Sequence, residues 1–202
     1  MSYTASNVNY GYAVATNKTF VAISNPSAFV YLNDTPGTGS VEVLQYSNNT
    51  DSYIHNSTIY KYLNPDLYLS SETSDVLLTE KTESILLDYT GLPISASKFG
   101  QSVALYNTTL IVGDPLFYYK LTDVYPTVST GSSVDIFNIS TTSSYSYVTT
   151  IANIFESNYD YNTSFGESVS IYNDIIAIGA SSISSSKGVV YLYKKVGDTW
   201  TY

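Results

Sequence analysis

The chain has 202 residues, 44% apolar and only 12% charged, which is enough apolar content for a packed core and argues against intrinsic disorder. A net charge of −9 with eight Lys and Arg leaves no basic stripe for phosphates, so nucleic acid and anionic membranes are disfavoured as partners. The absence of cysteine excludes a disulfide framework, thiolate metal sites and a cysteine nucleophile.

No signal peptide is visible in the first residues, and no apolar run approaches the roughly 20 residues that span a bilayer. Tyrosine, at 22 residues, far outnumbers phenylalanine at seven. Such amphipathic aromatics suit half-buried strand surfaces, interfaces and sugar-stacking platforms.

Taken in chain order, the sequence reads as three repeats of one pattern. In the first, about residues 8–59, Tyr10-Gly11-Tyr12-Ala13-Val14-Ala15 predicts a short strand. A two-residue turn at Asn17-Lys18 leads to an apolar strand ending at Ile23-Ser24-Asn25-Pro26. A third strand follows at Gly39–Leu44 and a polar, aromatic fourth at Ser52-Tyr53-Ile54. The alternation has period 2 and the residues are β-branched or aromatic, which is strand chemistry.

Residues 60–97 form an insertion. Its two apolar runs, Asp75–Thr79 and Ser84–Asp88, predict an extra hairpin, with one amphipathic helix as the alternative. The pattern resumes over about 98–163 with Phe99-Gly100-Gln101-Ser102-Val103-Ala104, a turn at Asn107-Thr108, and Val112-Gly113-Asp114-Pro115. Its third and fourth strands fall at Ser132–Phe137 and Tyr145–Val148. The last repeat, about 164–202, opens on Phe165-Gly166-Glu167-Ser168-Val169-Ser170 and turns at Asn173-Asp174. It runs through Ile178-Gly179-Ala180-Ser181 to strands at Gly188–Tyr193 and Trp200–Tyr202. Asn tolerates the positive φ that tight hairpins require.

The motifs at Phe99-Gly100 with Val112-Gly113-Asp114-Pro115 and at Phe165-Gly166 with Ile178-Gly179-Ala180 resemble the FG-GAP repeat of integrin α-subunit propellers; Tyr10-Gly11 is a degenerate copy. The resemblance implies an all-β fold: β-propeller blades of four antiparallel strands, in an incomplete ring. It places the apolar second strand of each repeat between neighbouring blades, buried on both faces, and glycine where a Cβ would crowd the turn into the innermost strand. Calcium-binding members carry an acidic loop between the first two strands. Here that connection is a bare turn, so no metal or other cofactor is expected.

Nor does the sequence mark an enzyme. His55 is the only histidine and reads as an exposed strand residue, with no second nitrogen ligand and no nucleophile elbow around it. Asp114, Asp123, Glu156 and Glu167 are the candidates for a glycosidase-type carboxylate pair, against a default of solvated loop positions. Asn-x-Ser/Thr sequons at Asn17, Asn48, Asn56, Asn107, Asn138 and Asn162 are candidate glycosylation sites. Ser and Thr are so abundant that roughly four matches would arise by chance.

The expected function is a non-enzymatic adhesion or recognition module, extracellular or on a cell or virion surface, binding a protein or glycan. The alternative is a structural subunit of a filament, virion or cell-wall layer; a propeller glycosidase or lyase ranks third. The third repeat is expected to expose an incomplete sheet edge, filled by more chain or by a second copy.

Overall fold

The computed structural model describes residues 9–26, 39–60, 98–115, 132–152, 163–183 and 187–202. The predicted insertion, Asp123, Glu156 and Asn162 lie outside them. The described residues form twelve strands in three four-stranded antiparallel sheets. The first holds β1 (Val14–Thr16), β2 (Phe20–Asn25), β3 (Ser40–Ser47) and β4 (Ser52–Tyr60). The middle sheet holds β5 (Ser102–Tyr106), β6 (Thr109–Asp114), β7 (Ser133–Ser140) and β8 (Ser144–Ala152). The third holds β9 (Phe165–Tyr172), β10 (Ile175–Ala180), β11 (Val189–Val196) and β12 (Thr199–Thr201). In each sheet the strands lie side by side in chain order.

The sheets stack through one repeated contact. Ala22, Val41, Val43 and Ile59 on one face of the first sheet pack with Val103, Leu110, Val112 and Phe137 of the middle sheet. The opposite face of the middle sheet presents Ile111, Val134, Ile136 and Ile151 to Phe165, Ile176, Ile178 and Tyr191 of the third. Cross-strand registers make Val41 and Val43 the counterparts of Val134 and Ile136. The same face of each sheet therefore meets the opposite face of the next. A fully buried Ile, Val or Phe stabilises by about 1.5–3 kcal/mol, so these two layers hold the fold together.

Burial of the second strand on both faces holds only in the middle sheet, where Leu110 to Asp114 are all buried. β2 and β10 alternate between buried and partly exposed positions, because among the described residues each outer sheet has one neighbour rather than two. The fourth strands of the first two sheets are also longer than expected, at nine residues each. Each absorbs one extra residue in a bulge, between Val43 and Leu44 in one pairing and between Ile136 and Phe137 in the other. The bulge restores register, so pairing continues past the point where period-2 alternation breaks.

Two of the three hairpins turn as predicted. Asn107 and Asn173 both sit at a φ of 52°. In the first sheet the turn moves on by one residue, to Lys18-Thr19. Asn17 instead closes it from the preceding position, its Oδ1 accepting the N–H groups of Thr19 at 2.8 Å and Phe20 at 2.9 Å. That is an Asx turn, which needs no positive φ at Lys18.

The motif glycines share one backbone state, with φ of 82°, 91° and 87° at Gly11, Gly100 and Gly166. Their surroundings differ. A Cβ on Gly100 would lie 3.1 Å from the Ser40 carbonyl, and one on Gly166 would lie 2.8 Å from the Ser133 carbonyl, each in the preceding sheet; one on Gly11 meets nothing within 4 Å. Gly100 and Gly166 thus serve sheet-to-sheet approach as well as the turn. Gly100→Val and Gly166→Val are each expected to cost about 1 kcal/mol or more beyond a surface substitution. Unchanged thermal midpoints for both would show that neither glycine is required.

A smaller exchange follows the same geometry. Ser102 faces Gly113 and Ser168 faces Gly179 across their strand pairs. The first sheet reverses the pair: Ala13 faces Ser24, whose Oγ accepts the Ala13 N–H at 2.9 Å. The hydroxyl has moved to the other strand, and only one of the two positions in each pair carries it.

Candidate recognition surface

Each aromatic-Gly step turns the chain into the first strand of its sheet, and the next residue is Tyr12, Gln101 or Glu167. Because the sheets stack in one repeated manner, these three positions follow one another along the stack. Tyr12 is 53% exposed, and Gln101 spans the seam between two sheets to donate from Nε2 to the Tyr12 hydroxyl at 2.6 Å. The Gln101 N–H is bonded to the Lys98 carbonyl at 2.8 Å, which holds the turn tight beneath the side chain. Glu167 is exposed and accepts a hydrogen bond from the Ser181 hydroxyl. A phenol, an amide and a carboxylate in a row offer one stacking face and several donors and acceptors on a rigid frame.

Next to this row the Tyr10 hydroxyl donates to the Glu42 carboxylate. Partial burial, with the Glu42 hydrogen bond and charge adding to it, pushes the Tyr10 phenol up to about 12. Its proton is therefore held more tightly in the folded chain than in the unfolded one. This contribution to stability is complete below about pH 10, the ordinary tyrosine value, and is lost as pH rises toward 12. Tyr10→Phe should flatten the fall in denaturation midpoint between those limits. An identical fall in both proteins would place the loss elsewhere.

Of the carboxylate candidates, Asp114 and Glu167 lie within the described residues, and each is engaged by a different partner. Asp114, expected in a solvated loop, ends β6 fully buried, and its Oδ1 accepts the Lys98 N–H at 2.7 Å. It caps the turn that introduces Phe99, a structural task that burial favours because the acceptor is satisfied by backbone. Another buried carboxylate, Asp135, accepts the Thr150 hydroxyl. His55 is exposed on β4 with its Nε2 3.0 Å from Thr58 Oγ1. Among the described residues no group of three or more His, Asp or Glu side chains is placed to hold a metal.

The sequons separate by environment. Asn48, Asn107 and Asn138 are exposed. Asn17 donates from Nδ2 to the Asn107 carbonyl at 2.7 Å, tying neighbouring hairpin tips. Asn56 is buried at the β4 bulge, its Nδ2 bonded to Gln45 Oε1 at 2.9 Å and to the Ser140 carbonyl at 3.0 Å. A seventh sequon, Asn33-Asp34-Thr35, escaped the sequence reading and lies outside the described residues. The row of Tyr12, Gln101 and Glu167 escaped it too; its signal was the position after each motif glycine, which carries a long side chain with a polar end every time.

Neither a protein-family model nor a curated protein sequence matches the chain. No helix among the described residues is long and apolar enough to cross a membrane.

Proposed function

We propose that the three sheets are consecutive blades of an FG-GAP-like β-propeller and that the chain is a non-enzymatic recognition module of an extracellular, cell or virion surface. The fold part rests on the aromatic-Gly steps at matching φ and on sheets that stack through the same pair of faces. The observation that carries the function is the row of Tyr12, Gln101 and Glu167 along the seams. A glycan hydroxyl pair or a polar peptide edge is met there by an aromatic face flanked by amide and carboxylate.

The test is binding of glycan and protein panels to the chain and to Tyr12→Ala and Gln101→Ala. Retention of a ligand by the parent chain, with at least about tenfold loss in either variant, supports the reading. A ligand bound equally by all three proteins places recognition elsewhere. A second reading, a structural subunit of a surface assembly, is favoured by the apolar side chains Val14, Val190 and Leu192 that the outer sheets leave exposed.

A further inference from the structure

Among the described residues the stacking rule leaves two faces without a facing sheet, and they are the two halves of one contact. Val134 and Ile136 of the middle sheet are 0% and 1% exposed because the third sheet covers them. Their register counterparts in the third sheet are Val190 and Leu192, which pair with Gly179 and Ala177 as Val134 and Ile136 pair with Gly113 and Ile111. These two are 65% and 59% exposed. On the opposite side of the stack, Val14 of the first sheet corresponds to Val103, which packs against a preceding sheet. Val14 is 58% exposed where Val103 is buried. Gly11 keeps the φ of Gly100 and Gly166, yet among the described residues its Cβ would meet nothing within 4 Å, where those two abut the preceding sheet.

The hairpin tips repeat the same signature. Asn17 bonds to the next tip at the Asn107 carbonyl, and the Tyr106 hydroxyl donates to Asn173 in the tip after that. Tyr172, the counterpart of Tyr106, is exposed.

We propose that the open face of the third sheet docks on the open face of the first sheet of a second copy of this chain, head to tail, with the geometry of the two contacts inside the chain. A second copy is the fitting occupant because each chain carries both halves of the contact. The surfaces are different patches, so the contact is heterologous and closes into a ring when the rotation permits. Propeller rings hold four to eight blades, and the described sheets of two copies together number six. The ring rests on the propeller reading above, whereas the contact itself rests on the sheet packing and is independent of any ligand on the row of Tyr12, Gln101 and Glu167.

The experiment uses sedimentation or light scattering on the full chain, with Val190→Glu blocking one face and Val14→Lys the other. Both residues are more than half exposed, so neither substitution removes core packing within the chain. The parent chain should sediment at twice its 22.2 kDa mass. Each variant alone should be monomeric, with self-association weakened more than about tenfold. Their mixture should recover a one-to-one heterodimer, because Val14→Lys retains the third-sheet face and Val190→Glu retains the first-sheet face. Leu192→Lys should behave as Val190→Glu does. A monomeric parent at concentrations near 100 µM (roughly the scale of weak specific association) would overturn the proposal. So would an oligomer that either variant leaves intact, or a mixture that stays monomeric.

Discussion

Gly113→Ala should lower stability by about 3 kcal/mol, more than most single-atom additions anywhere in the chain. A Cβ at this position would lie 2.0 Å from the Gly166 carbonyl oxygen and 2.3 Å from Ser102 Oγ. The hydroxyl can rotate, but the carbonyl belongs to the backbone of the next sheet. It also accepts the Ser102 hydroxyl at 2.7 Å, a hydrogen bond that ties the two sheets and would be lost with the clash. The sheets must separate locally to admit the methyl group, which opens the layer of Ile111, Val134 and Ile136.

Gly179 supplies the control. It holds the equivalent position in the third sheet, and its Cβ would meet Ser168 Oγ at 2.2 Å with no backbone atom nearer than 3.6 Å. Gly179→Ala should cost under about 1 kcal/mol in dilute solution, and adding Ser168→Ala should remove most of that. Denaturant midpoints compare the three variants directly. Equal losses for Gly113→Ala and Gly179→Ala would show that close approach between sheets is not what the glycine provides.

The second large effect is expected at Phe137. This ring is fully buried in the middle sheet. It makes edge contacts with Phe99, Tyr145 and Tyr147 at centroid distances of 6.1, 5.9 and 6.0 Å. Edge-to-face pairs add about 0.5–1.5 kcal/mol to area burial, and the cluster closes over the layer shared with the first sheet. Phe137→Ala should therefore cost about 3–5 kcal/mol, while Asn138→Ala, on the exposed next residue, should stay within about 0.5 kcal/mol. Phe137→Leu, which retains much of the volume, should fall between. A loss below about 1 kcal/mol for Phe137→Ala would mean that this layer does not hold the two sheets together.

The strand order, the repeat and the positive-φ turns were legible in the sequence because they are local. A strand is written in alternation over five or six residues, and a hairpin turn in the residue that accepts left-handed backbone, as at Asn107 and Asn173. Asn17 shows where local reading stops. The same residue type closed the first turn through its side chain rather than entering it, and one residue of register moved with it.

What only the tertiary structure decided is what each face meets. Val134 and Val190 stand at equivalent positions with the same side chain, yet one is buried and the other exposed, because one has a sheet over it. For the same reason β6 is buried on both faces while β2 and β10 are not. Asp114 read as a surface carboxylate because nothing in its neighbours foretold that its oxygen would accept a backbone N–H from the turn before Phe99. Tyr12, Gln101 and Glu167 were written at one repeated position, but Tyr12 and Gln101 become neighbours only when the sheets stack. Backbone preference is settled within a few residues, whereas burial and convergence depend on groups distant in sequence.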